Sequence, residues 1–69
     1  MYEVTANTAT KMDAFEKLFI SKETAFMYFN MAVRADDCVE ATMIDACTGI
    51  VVYQWENGKY TVMDETVLY

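Results

Sequence analysis

The stretch Ile50-Val51-Val52-Tyr53-Gln54-Trp55-Glu56-Asn57-Gly58-Lys59-Tyr60-Thr61-Val62-Met63-Asp64 spells a β-hairpin. Its centre is a two-residue turn, because Asn57-Gly58 supplies the positive φ values that a type I′ turn needs. Glu56 and Lys59 then face each other as an opposite-charge pair. The arms are rich in β-branched and aromatic residues, which suit a pleated, half-buried surface.

A second turn precedes it at Cys47-Thr48-Gly49. Its length decides which side chains share a face, since a slip of one residue turns every side chain over. A four-residue loop, 46–49, pairs Asp45 with Ile50 and sets Glu40 beside Trp55. A three-residue loop, 47–49, pairs Ala46 with Ile50, Met43 with Tyr53 and Ala41 with Trp55. The shorter loop matches apolar with apolar and gives Gly49 a left-handed position. It predicts a meander of strands 39–46, 50–56 and 59–65. The expected core face carries Val39, Ala41, Met43, Val51, Tyr53, Trp55, Tyr60 and Val62. The other face carries Glu40, Thr42, Gln54, Glu56, Lys59 and Thr61, with Ile44, Val52 and Met63 adjacent across the strands.

Upstream, Ser21 reads as a helix N-cap and Glu23 suits the positive end of the helix dipole. The helix is expected over about 22–35, with Ala25, Phe26, Phe29, Ala32 and Val33 forming one stripe. Residues 2–7 alternate as a strand. Lys11–Ile20 fits either a helix begun at Thr10 or a strand returning to pair with 2–7, and a strand runs more naturally into a Ser21-capped helix. The expected fold is α+β and two-layered: one mainly antiparallel sheet with a single helix on one face, order ββαβββ. The alternative is ααβββ with 11–20 helical.

The chain has 69 residues, eleven acidic, five basic and no histidine, for a net charge of −6. One small domain over 1–69 is expected, with a thin core. The apolar fraction of 55% is that of a folded protein. No run approaches a membrane span, and Met1-Tyr2-Glu3-Val4 lacks the basic and apolar regions of a secretory signal. A complete small cytoplasmic reading frame is the expectation. The lysines and Arg34 are scattered, which argues against direct nucleic-acid binding.

Catalytic chemistry is poorly served. Without histidine the common Ser-His and Cys-His arrangements are unavailable. Two isolated glycines make no phosphate loop. Cys38 and Cys47 flank an expected strand about 26 Å long, too far for a disulfide, and match no zinc pattern. They read as structural thiols, with Cys47 exposed in its turn. Tyr53, Trp55 and Tyr60 read as core beneath the helix. No cofactor or metal is expected, and a non-enzymatic protein is.

Two groups of residues point outward. Ile44, Val52 and Met63 on the sheet, with Met27, Tyr28 and Met31 on the helix, are surplus apolar residues suited to a contact surface. They favour a homodimer or another protein, possibly a basic one, as partner. Asp36, Asp37, Glu40, Asp64 and Glu65 form a candidate acidic patch. In size and charge the chain resembles small phage and mobile-element inhibitors of host defence, anti-CRISPR proteins included. That resemblance implies that the acidic patch mimics nucleic-acid phosphates towards a basic protein. The further alternative is a purely structural, self-assembling domain.

Overall fold

The computed structural model describes Met1–Met63, with backbone alone for Val62 and Met63. The elements are β1 (Tyr2–Thr8), β2 (Phe15–Phe19), α1 (Lys22–Val33), β3 (Cys38–Asp45), β4 (Ile50–Glu56) and β5 (Lys59–Met63). All five strands form one antiparallel sheet in the order β2-β1-β3-β4-β5. With α1 on one face, this is the expected two-layer ββαβββ fold.

The ambiguous segment 11–20 resolves as a turn and a strand. Asp13 sits in the left-handed region, φ 52°, which a helix interior does not accommodate. Its N–H donates to Asn7 Oδ1 at 2.7 Å. Thr8 and Lys11 exchange backbone hydrogen bonds. These contacts fold 9–14 back, and Phe15–Phe19 then pairs with β1.

Helix α1 begins as its cap requires. Ser21 Oγ accepts from the Thr24 N–H at 3.4 Å, and the Ser21 carbonyl accepts from the Ala25 N–H at 3.0 Å. Glu23 lies in the first turn. Ala25, Phe29 and Ala32 are fully buried, and Phe26 and Val33 are half-buried beside them, so the expected stripe faces the sheet. Beneath it, Val4 opposes Met43 and Ala6 opposes Ala41. The small Ala25, Ala32, Ala6 and Ala41 bring helix and sheet close. Phe29 fills the space that remains, against the rings of Tyr53 (5.8 Å), Tyr60 (6.2 Å) and Phe26 (6.4 Å).

Three register shifts alter the expected faces. Each skips one residue, and a skipped residue reverses the in–out alternation beyond it. At the β3–β4 turn Asp45 pairs with Ile50 and Ile44 with Val51, as for a four-residue loop. The shift then skips Val52 and restores Met43 opposite Tyr53 and Ala41 opposite Trp55. The expected pairing of Ala46 with Ile50 is not formed. Apolar matching is kept by a bulge instead of by loop length. Val52, expected on the outer face, is 2% exposed in the core, while Val51 opposes Ile44.

The shift between β1 and β3 skips Val39, which is 37% exposed instead of core, and Cys38 is buried in its place. Between β4 and β5 the shift skips Thr61. Met63 then stands opposite Tyr53 and Val62 opposite Gln54, one residue on from the pairing of Val62 with Tyr53 that the two-residue turn alone would give. The turn itself is as expected: Asn57 and Gly58 have φ 49° and 88°, and Glu56 opposes Lys59.

Candidate docking surface

Helix α1 packs on β1, β2 and β3, and among the described residues no element covers the opposite face of the sheet. Register partners in an antiparallel sheet project to the same side, so the ladder defines that face. Its first row is Leu18, Glu3, Ile44 and Val51. The second is Glu16, Thr5, Thr42 and Gln54, and the third is Asn7, Glu40, Glu56 and Lys59. Leu18 is 54% exposed. Ile44 and Val51 are half-buried by their neighbours.

Among the described residues the face therefore carries an apolar row beside four carboxylates and one ammonium. The register partners of Glu3 are Leu18 and Ile44, and that of Glu16 is Thr5. Glu40 stands between Asn7 and Glu56. None of these three carboxylates has a basic register partner. Glu40 and Glu56 are like charges directly opposite, an arrangement that destabilises a sheet.

The six apolar residues singled out in the sequence do not converge. Ile44 belongs to the open face. Val52 lies in the core, which removes it from any surface, and the side chain of Met63 lies outside the description. Met27 (71% exposed) and Met31 (53%) stand one turn apart on the solvent side of α1, away from the open sheet face. Tyr28 is half-buried, its ring 5.2 Å from Phe19 and 6.3 Å from Phe15, and so ties the helix to edge strand β2. In the acidic group, Asp36 and Asp37 are exposed in the loop before β3. The Asp37 carbonyl accepts from Ala9 N–H at 2.8 Å, and its carboxylate accepts from the Thr10 hydroxyl at 3.5 Å. Glu40 lies on the open face, and Asp64 and Glu65 fall outside the described residues.

Leu18, Glu3, Glu16 and Val51 are the members that sequence reading missed. The first three share a face with β3 only because β1 inserts between β2 and β3. Strand order leaves no local periodic signal. Val51 depends on the bulge.

Other groups are less suggestive. Cys38 is buried and Cys47 exposed, both as free thiols. Burial pushes the Cys38 thiol above its ordinary pKa, and the nearby Asp37 charge adds to this. A cleft of about 120 Å³ with apolar walls opens beside Lys22, Glu23, Phe26 and Tyr53, below the roughly 300 Å³ of small-molecule sites. Among the described residues no three His, Cys, Asp or Glu side chains gather to hold a metal. No helix there is long and apolar enough to cross a membrane. Comparison of the chain with protein-family models, with curated proteins and with solved structures finds no match in any of the three.

Proposed function

We propose that the protein is a small non-enzymatic interaction domain that docks onto another protein through the open face of its sheet. The observation that carries this reading is the row Leu18, Glu3, Ile44 and Val51. A sheet with one covered face ordinarily alternates apolar inward and polar outward. Here three of the four positions in one outward row are aliphatic, with polar and charged residues beside them. Apolar patches rimmed by polar groups mark contact sites, and mixed surfaces of this kind suit partners that associate reversibly.

The test is selection of binding peptides from a displayed random library, followed by mapping on the amide NMR spectrum. Selected peptides should compete with one another and shift the signals of β1–β4 residues on the open face. The double substitution Leu18→Thr, Ile44→Thr should abolish their binding while the circular dichroism spectrum stays native. Binding that survives the double substitution, or a selection without saturable binders, refutes the reading.

A further inference from the structure

Resting on that docking reading, we infer that the occupant of the open sheet face is a basic protein surface, an aliphatic ridge flanked by Lys or Arg, and not a second copy of this chain. Among the described residues the face offers four carboxylates, Glu3, Glu16, Glu40 and Glu56, against the single ammonium of Lys59. A symmetric pair of copies meets through the same patch on both partners. Such a pair would press two sets of four carboxylates together with two ammonium groups between them. Burying carboxylates without partners is costly, so the charge that permits a basic partner rejects a copy.

The ladder also fixes where the partner's charges belong. The apolar row lies at one end of the face, at Leu18, Ile44 and Val51. Glu40 and Glu56 lie two rows away, with Glu16 in the row between. A partner presenting aliphatic side chains over the first row reaches the carboxylates with cations placed along the strand direction, about 7 Å away for the second row and about 14 Å for the third. Lys or Arg placed over Glu40 and Glu56 removes the repulsion between them. Asp36 and Asp37 extend the acidic field past that same end, since Asp37 is hydrogen-bonded to Ala9 just beyond β1. The net charge of −6 favours fast, salt-sensitive encounter with such a partner.

Two measurements on the full chain test the inference. Sedimentation equilibrium at about 20 mM and about 500 mM salt, where screening differs severalfold, should show a monomer at both. A dimer that Ile44→Thr dissociates overturns the inference and leaves a docking face in place. In the second, displayed random peptides are selected at low salt. Peptides that map to the open face should carry net positive charge and lose about tenfold or more in affinity at the higher salt. The triple variant Glu3→Gln, Glu16→Gln, Glu40→Gln should weaken them at least tenfold at low salt and flatten the salt dependence. The control Asp13→Asn, Glu23→Gln should do neither. Neutral or acidic peptides bound at the face, or affinity indifferent to salt and to the triple variant, overturn the basic partner. Peptides that map to Met27 and Met31 instead overturn the choice of face, and with it the reading on which the inference rests.

Discussion

Replacing Glu40 by Gln should stabilise the free protein. Glu40 stands directly opposite Glu56 and has no basic register partner, its other neighbour being Asn7. Directly opposed residues have Cβ atoms about 5 Å apart, and splayed carboxylates at such positions lie roughly 6–7 Å apart. Coulomb's law at a water-like dielectric then gives a repulsion of about 0.6 kcal/mol before salt screening. At about 0.1 M salt screening roughly halves this, and the half-burial of Glu40 raises it again, so about 0.5 kcal/mol is expected. For a chain this small that is a rise in Tm of about 2–4 °C. The assay is thermal unfolding followed by circular dichroism, at low salt and at about 1 M salt. At 1 M the screening length falls to about 3 Å, and the advantage of the variant should nearly vanish. Glu56→Gln supplies an internal comparison, because Glu56 also opposes Lys59. That substitution removes an attraction with the repulsion and should be close to neutral. Glu16→Gln, which faces Thr5, should also leave Tm unchanged. A Glu40→Gln variant no more stable than the parent at low salt, or equally favoured at 1 M salt, refutes the assignment of a repulsion that Glu40 feels without a basic register partner of its own.

Phe29→Ala should cost about 3–5 kcal/mol, the range for a fully buried Phe. Set against the roughly 3–10 kcal/mol expected for a chain this long, that loss should lower the urea midpoint steeply, and abolish the folded baseline where the parent stability lies at the low end of the range. Gly58→Ala places a Cβ at φ 88° with nothing within 4 Å of it, so backbone strain alone should destabilise by about 1 kcal/mol, seen as a lower urea midpoint with unchanged slope. Iodoacetamide at neutral pH should alkylate Cys47 and spare Cys38, which mass spectrometry of peptides resolves; equal labelling of both would contradict the burial of Cys38. The raised Cys38 pKa means that the native state holds the thiol proton more tightly than the unfolded chain. Its contribution is complete below the unfolded thiol pKa and is lost as pH rises through that value towards the folded one. Cys38→Ala should flatten the alkaline limb of stability against pH.

The fold was legible where the signal was local. Asn57-Gly58 fixed one turn, Ser21 fixed the start of α1, and the Ala25–Val33 stripe fixed its buried side. What strict alternation could not supply was the inserted residue. Val39, Val52 and Thr61 are each skipped in a ladder, and nothing in their side chains distinguishes a skipped valine from a paired one. The consequences are specific. Val52 moves into the core, Val51 moves out of it, and Cys38 replaces Val39. At the β3–β4 turn the rule that apolar residues pair with apolar held at Met43 and Tyr53. The inference from it to loop length did not, because a bulge satisfies the same constraint. The candidate site was legible at Ile44 and Glu40, whereas Leu18, Glu3 and Glu16 are joined to them by strand order and Val51 by the bulge.

The same residues tie stability to binding with opposite signs. Glu40 and Glu56 repel in the free protein, and a cation placed between them turns that repulsion into attraction. Glu40→Gln therefore raises the Tm of the free chain and weakens its hold on a basic partner. A carboxylate at this position whose role is only to keep the chain soluble would show the stability gain without the loss of affinity. A residue serving only the fold would not gain stability on losing its charge. A thin core makes this exchange consequential. Partner at about a hundred times its Kd adds roughly 2.7 kcal/mol to stability, a large fraction of what a chain of this length possesses alone. An open face that tolerates about 0.5 kcal/mol of internal repulsion recovers it several times over when occupied. Measuring Tm for the parent and for Glu40→Gln, each with and without a selected basic peptide, should therefore reverse their order of stability. If Glu40→Gln stays the more stable of the two in the complex, the charge at position 40 does not serve docking.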